Sequence, residues 1–284
     1  MIPRVAEKPE HPLGKYVYTG WLLGEPRHIF CPGCGYGTIA QALTRVFIDE
    51  KLDGKKYPFV IGIGCYSALP AVLPGYSVMV LHGRVPAVAT GMKLANPELK
   101  PIGISGDGDL LAIGTSHFLH ACRRNVDMLL ILLHNNVYGM TGGQVAPTTP
   151  TTFRATTAPY GYAETPFDAC ELAIVGGATY VARWSSIQVQ PLVTSIKKAL
   201  KRKGLSFIEI VSPCPTYFGR KNKMAEPIDV FRWIKDKSVK IEKAKGMSKE
   251  ELAGKYLIGE FVERERPELS EMYRKLITAA QEGK

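Results

Sequence analysis

The sequence predicts an α/β fold, a mostly parallel sheet with helices on both faces, followed by a charged C-terminal extension. Three observations predict it: short apolar runs recur along the chain, segments with helical spacing separate them, and several runs end in turns rich in Gly, Cys, Asp or Asn. Strands that alternate with helices argue for parallel βαβ units covered on both sides. In such sheets ligands sit beyond the C-terminal ends of the strands, so the strand-to-helix turns are where chemistry is expected.

The elements follow in order. "TIAQALTRVFIDEKL" (38–52) places Ile39, Leu43, Val46 and Phe47 on one helical stripe. Strand-like runs come next at "PFVIGIG" (58–64) and "VMVLH" (78–82), then a small apolar helix, "PAVATGMKLA" (86–95). "PIGIS" (101–105) reads as a strand, "TSHFLHACRRN" (115–125) as a helix opened by a capping Thr or Ser, and "MLLILLH" (128–134) as a buried strand. Residues 138–166 are rich in Thr, Pro and Gly and too long for an ordinary connection, a length that marks a functional or disordered loop. "ATYVAR" (178–183) and "SFIEIV" (206–211) are strands around the helical "IQVQPLVTSIKKALKRK" (187–203). Beyond about Arg220 the chain becomes charged, with one helix at "RPELSEMYRKLITAAQE". The expected division is a domain over 1–220 and an extension over 221–284.

Bulk properties narrow the classes. The 284 residues are 45% hydrophobic, enough for a substantial core. No apolar run approaches the roughly 18 residues of a membrane span, and the N-terminal "MIPRVAEKPEHPLG" lacks the apolar region of a secretory signal. A cytoplasmic protein is expected, in which six cysteines read as ligands, catalytic groups or inert core residues rather than a disulfide framework. The net charge of +10 is concentrated: between Lys197 and Lys240 twelve Lys/Arg face four Asp/Glu. That segment is either a solvated face or a surface that steers an acidic partner.

Two motifs carry chemistry. In "PIGISGDGDLLAIG…LLHNNVYGMTGGQ", a strand runs into Gly106-Asp107-Gly108-Asp109, and 26 residues separate the GDG from Asn135-Asn136. Glycines at 106 and 108 let backbone N–H groups approach a diphosphate at a helix N-terminus. A carboxylate and a carboxamide on adjacent strand ends can hold Mg²⁺. In "FCPGCGYGT" (30–38), Cys31 and Cys34 form a C-x-x-C pair: a redox dithiol, half of a zinc site, or half of an iron–sulfur site. Cys65 and Cys214 each follow a strand, near the same expected crevice.

The GDG-x26-NN arrangement resembles the diphosphate-binding motif of thiamine diphosphate enzymes, which implies a thiamine diphosphate-binding fold. By that resemblance Asp107, Asn135 and the carbonyl of Val137 would hold Mg²⁺, and Thr141, Gly142 and Gly143 would line the phosphates. "HGR" (82–84), "ATGMKLANPELKPIGISGDGD", "HACRRNVD", "NNVYGMTGGQVAPTTP", "ATTAPYG" and "SPCPTYFGRKN" are similar to the β subunit of 2-oxoacid:ferredoxin oxidoreductases, nearest the 2-oxoglutarate type. The resemblance runs from about Phe30 to the extension. It implies cofactor contacts from Gly64, Cys65, Ser67, His82, Gly83, Gly106, Asp107, Gly108, Asp109, Asn135, Val137, Gly139, Met140 and Thr141. It also implies a [4Fe–4S] cluster on Cys31, Cys34, Cys65 and Cys214, for which thiolates are the required ligands.

The implied reaction is CoA-dependent oxidative decarboxylation of a 2-oxoacid to acyl-CoA and CO₂, with single electrons leaving through the cluster. No catalytic residue is assigned to this chain, since the glutamate that activates the aminopyrimidine belongs to an α subunit in the family. A small ferredoxin-like chain, or ferredoxin itself, would dock on the basic segment. Nucleic acid and membrane are not expected partners. A zinc Cys₄ site, a thioredoxin-like dithiol, and a non-redox thiamine-dependent decarboxylase or synthase with structural zinc are the competing readings. Cys122 and Cys170 read as core thiols and His117 and His120 as structural; His134 is assigned nothing. One departure bears on substrate. Where relatives carry "GCSSR", this chain has Cys65-Tyr66-Ser67-Ala68-Leu69, and the lost arginine leans toward a branched-chain or aromatic 2-oxoacid over 2-oxoglutarate.

Overall fold

The computed structural model describes residues 29–283; the N-terminal stretch read for a signal lies outside them. The main sheet has eight strands: β1 (Phe59–Ile61), β2 (Ser77–Met79), β3 (Ile102–Gly106), β4 (Leu129–His134), β7 (Tyr180–Ser185), β8 (Ser206–Val211), β9 (Ser238–Lys240) and β10 (Tyr256–Glu263). Their spatial order is β2-β1-β3-β4-β8-β7-β10-β9, and every pairing is parallel except that of β10 with β7. β5 (Val137–Tyr138) and β6 (Gln144–Val145) form a separate hairpin within the long loop.

Alternation along the strands explains why helices cover both faces. Phe59, Ile61, Ile104, Ile131 and Leu133 point into one core with Leu43, Val46, Leu192 and Ile196. Those last four lie on α1 (Tyr36–Asp49) and α5 (Val189–Lys201). The residues between them, Val60, Leu130 and Leu132, point the other way into a second core with Ala89, Phe118 and Ala173. These come from α2 (Val85–Ala95), α3 (Thr115–Arg124) and α4 (Ala169–Gly176). A parallel strand buried on both faces is apolar at every position, and Leu129–Leu133 are all fully buried.

Residues 221–284 contain α6 (Pro227–Lys237), α7 (Ile241–Ala244), α8 (Lys249–Leu252) and α9 (Leu269–Gln281), together with β9 and β10. This segment joins the main sheet: β10 lies against β7 with Gly259 opposite Arg183 and Glu263 opposite Tyr180. β10 and β9 therefore cover one side of the sheet, while β2 forms the opposite edge, with Val78 and Met79 39% and 54% exposed.

Candidate active site

Four neighbouring strands deliver the candidate residues. β1 runs into Gly64-Cys65, β3 into Asp107-Gly108-Asp109, β4 into Asn135-Asn136 and β8 into Ser212-Pro213-Cys214. Because β1, β3, β4 and β8 are contiguous in the sheet, these turns stand side by side at its C-terminal edge. Between them opens a cleft lined by Gly64, Cys65, His82, Gly106, Asp107, Gly108, Asp109, Asn135, Val137, Gly139, Met140 and Thr141. Tyr36, Ile63, Tyr66 and Tyr138, which the sequence did not single out, complete the wall. Ser67 and Gly83 lie behind it. The Ser67 hydroxyl donates to the Gly62 carbonyl at 2.8 Å and accepts from Gly64 N at 2.9 Å, which closes the turn.

Asp107 is 2% exposed. Its Oδ2 accepts from Asn136 N (2.8 Å), Asn135 N (3.2 Å) and the Thr148 hydroxyl (2.5 Å), while Oδ1 accepts from Gly108 N (2.9 Å). Burial nevertheless raises its pKa, partly offset by the nearby His134 and the Thr148 hydrogen bond. A cation at this carboxylate would relieve that penalty. Thr148 had no sequence signal of its own within the Thr-rich loop. Thr149 works beside it, donating to the Asn136 carbonyl at 2.6 Å.

Asp109 lines the cleft and also binds the turns around it. Its Oδ2 accepts from the Tyr66 phenol (2.5 Å) and from the Ser105 hydroxyl, and its Oδ1 accepts from Gly83 N. His82 Nδ1 lies 3.1 Å from the same Oδ1. The carboxylate thus ties the GDGD turn to the Cys65 turn and the His82 turn from within. Space is tight around both glycines of the motif. A side chain at Gly108 would come within 2.4 Å of the Tyr138 ring, and one at Gly106 within 2.9 Å of the Tyr66 ring.

Cys65 lines the cleft, and Cys31, Cys34 and Cys214 lie near enough for the four to interact electrostatically. Cys34 N donates to the Cys31 carbonyl (2.9 Å), folding the C-x-x-C loop, and Cys214 N donates to the Asn135 carbonyl (3.0 Å). A side chain at Gly139 would sit 3.1 Å from Cys65 Sγ, 3.3 Å from Asn135 Nδ2 and 4.0 Å from Cys214 Sγ, so one glycine separates the sulfurs from the carboxamide. Burial pushes the Cys34 thiol up to about 12 and Cys65 to about 11, and each is raised further by the neighbouring cysteines. Cys214 is raised by burial, against three backbone N–H groups, from Thr216, Tyr217 and Phe218, that favour its thiolate. Cys31 is exposed. Cys122 and Cys170 are fully buried, as core thiols should be.

His134, left without a role by its sequence, belongs to a buried polar chain behind the site. Asp168 Oδ1 accepts from Arg183 Nη2 (2.6 Å), and Arg183 Nε donates to Glu209 Oε2 (2.7 Å). Glu209 Oε1 meets His134 Nδ1 at 2.5 Å, and His134 Nε2 meets Asn136 Oδ1 at 2.6 Å. Arg183 and His134 hold the Glu209 carboxyl down to about 2 despite its burial, and Glu209 in turn raises the His134 pKa. The chain ends at Asn136, which has a left-handed backbone (φ 67°) and donates to Asp107. His120, expected to pack, is exposed and accepts from Arg123 Nε at 3.4 Å.

Comparison with known proteins agrees with this geometry. Residues 62–210 match the family "Thiamine pyrophosphate enzyme, C-terminal TPP binding domain". The chain is 48% identical to the 2-oxoglutarate synthase subunit KorB of Methanocaldococcus jannaschii, over 94% of this chain and 97% of that protein. It is 44% identical over 66% of its length to the 2-oxoacid:ferredoxin oxidoreductase subunit beta of Saccharolobus solfataricus, covering 62% of that protein. Among solved structures it resembles the 2-oxoglutarate:ferredoxin oxidoreductase of Magnetococcus marinus with 2-oxoglutarate, coenzyme A and succinyl-CoA bound. The TM-score is 0.82 at 29% identity, over 99% of this chain and 94% of that one.

Proposed function

This chain belongs to the β-subunit family of 2-oxoacid:ferredoxin oxidoreductases, and from that premise we propose that it binds thiamine diphosphate through Mg²⁺ and a [4Fe–4S] cluster, in a cytoplasmic complex with an α subunit that converts 2-oxoglutarate and CoA to succinyl-CoA, CO₂ and a proton while passing two electrons to ferredoxin or a related acceptor. The observation that carries the reading is the shared cleft: Asp107, Asn135 and Cys65 line one cavity, and Cys214 approaches it past Gly139. The donor set fits both groups. Asp107 and Asn135 supply hard oxygen atoms for Mg²⁺. The Tyr36 hydroxyl, buried in the wall, has no hydrogen-bond partner among the described residues and is free to meet a bound group.

Thiamine diphosphate supplies the carbanion chemistry of decarboxylation, and the cluster would take the electrons one at a time. The chain's own residues position and charge the site. Thr148 and the backbone of Asn135 and Asn136 fix the Asp107 carboxylate, and Asp109 locks the turns around Gly106 and Gly108. With no metal bound, burial keeps Cys34, Cys65 and Cys214 as thiols, so iron binding would release protons.

Zinc is less well supported. Four thiolates at about 2.3 Å from one zinc ion stand about 3.8 Å apart. Among the described residues, ligand atoms within 4.8 Å of one another are brought together by Asp168, Cys170 and Glu209, whose carboxylates Arg183 already binds. No three of the four candidate sulfurs lie within 4.8 Å of one another.

The lean toward a branched-chain or aromatic substrate does not survive. It rested on the arginine missing from the turn after Cys65, with the apolar character of that turn beside it, but Ala68, which stands where the arginine of "GCSSR" would fall, does not line the cleft, and Leu69 is fully buried in the core. The turn's apolarity reports packing, and the relatives named above favour 2-oxoglutarate. An α subunit is supported by the cleft's composition, since no glutamate lines it among the described residues. Met140, which lines the cleft, is 56% exposed, and Leu81, next in the chain to the lining His82, is 78% exposed, apolar surface suited to a partner. Among the described residues no helix is long and apolar enough to cross a membrane.

The test is anaerobic purification of the chain with its α partner, followed by absorbance, EPR and viologen reduction with different 2-oxoacids. A brown complex with a dithionite-induced signal and a preference for 2-oxoglutarate is expected. A colourless, EPR-silent complex would remove the cluster, and faster turnover of an aromatic oxoacid would overturn the substrate.

A further inference from the structure

The basic segment read from the sequence divides in two once its contacts are known. On α5 and just beyond, the positive charges are neutralised: Lys197 pairs with Asp49 and Glu50, Lys198 with Glu260 and Glu263, Lys201 with Glu50, Arg202 with Glu263, and Lys203 with Glu271. Farther along, Arg220, Lys221, Lys223 and Lys235 are exposed and form no ion pair among the described residues, and exposed Arg232 only approaches Asp229 at 3.6 Å. These cations lie just before α6 and on it; Glu226, Asp229 and Asp236 offset part of them, and residues 220–240 keep seven Lys/Arg against three Asp/Glu.

α6 also lies against two of the sulfur-bearing segments. A side chain at Gly33, between Cys31 and Cys34, would come within 2.2 Å of Pro227 Cβ. One at Gly219, which closes the turn after Cys214, would come within 2.7 Å of Val230 Cγ2. The inner face of α6 is anchored by Val230 and Ile234, 2% and 4% exposed. Its outer face carries Ile228 and Phe231, 51% and 46% exposed and one helical turn apart. An apolar centre with a charged rim has the anatomy of a protein interface rather than of a solvated face.

We propose that the outer face of α6, with Ile228 and Phe231 at its centre and Arg220, Lys221, Lys223 and Lys235 around them, docks a small acidic iron–sulfur electron carrier. The proposal rests on the reading of Cys31, Cys34, Cys65 and Cys214 as cluster ligands. Charge selects the occupant, because a net basic rim attracts an acidic protein and speeds its encounter. Position gives the purpose: the same helix borders the exposed Cys31 loop and the Cys214 turn, so a carrier seated here is next to the electron donor. The α subunit is assigned elsewhere, to the apolar surface at Met140 and Leu81.

The test uses the assembled complex and an acidic ferredoxin, with methyl viologen as a small cationic acceptor that needs no docking surface. Lys221→Glu combined with Lys235→Glu should raise the KM and the Kd for ferredoxin about tenfold at low ionic strength, with the gap closing in high salt. Phe231→Ala should raise both about fivefold with little salt dependence. Methyl viologen reduction should stay unchanged in every variant. Unchanged ferredoxin binding, an equal loss with both acceptors, or release of the α subunit on gel filtration would each overturn the proposal. A wild-type complex that binds no iron and reduces neither acceptor would instead remove the parent reading and this surface with it.

Discussion

Glu209→Gln is the sharpest probe of the frame behind the site. The substitution keeps the shape of the side chain and removes a charge that is 1% exposed between Arg183 and His134. A carboxyl held at about 2 in place of its usual 4.5 corresponds to about 3 kcal/mol of preference for the ionised form. Breaking a buried ion pair from one side costs about 3–5 kcal/mol, so the two routes to the magnitude agree. Urea unfolding at neutral pH should show the variant less stable by about 3 kcal/mol. The pH dependence has a definite sign. A depressed carboxyl stabilises fully above the unfolded pKa of 4.5 and loses that contribution as pH falls toward 2. The carboxyl's own share of the gap should be about 1 kcal/mol smaller at pH 4 than at pH 7, while the protonation of His134 that Glu209 favours adds to the gap as pH falls from 7 to 5. A difference under about 1 kcal/mol at pH 7 would refute an ionised Glu209 in the folded chain.

Three further outcomes are expected. Thr148→Val removes the 2.5 Å hydrogen bond to Asp107 and should weaken Mg²⁺-dependent thiamine diphosphate binding about 10- to 100-fold by calorimetry, as loss of an outer-shell partner does. Cys31→Ser should leave thiamine diphosphate bound while acceptor reduction falls about 100-fold or more and the EPR signal is lost or altered. In Gly139→Ala the new methyl would stand 3.1 Å from Cys65 Sγ; iron and sulfide content should fall while the unfolding transition stays cooperative.

Much of the frame was legible because its signals are local. Each apolar run named from the sequence overlaps a strand, and in β3, β4 and β8, buried on both faces, every position is covered. In the turns after β3 and β4, Asn136 suits its left-handed backbone, while Gly106 and Gly108 leave room for the Tyr66 and Tyr138 rings packed on them. What escaped depended on partners distant in sequence. His134 acquires its role only when Glu209, 75 residues on, lies beside it. The available clue was a lone Glu in "SFIEIV" and a lone Arg in "ATYVAR", charges that an apolar strand buries only in pairs. The hold of Asp109 on Tyr66, Ser105 and Gly83 was not legible, because those partners stand on three different turns. β10 was missed because "YLIGEFVE" sits in a charged segment and only its contact with β7 makes it part of the sheet.

The β2 edge bears on what this subunit offers a partner. One side of the sheet is closed by the chain's own β10 and β9, but beyond β2 no strand continues it among the described residues. Beside that edge Tyr76 and Leu81 are 62% and 78% exposed. Open backbone flanked by apolar side chains is a template for strand-to-strand association. At three residues β2 is too short to pair extensively, so what this edge offers a partner is chiefly its exposed apolar side chains.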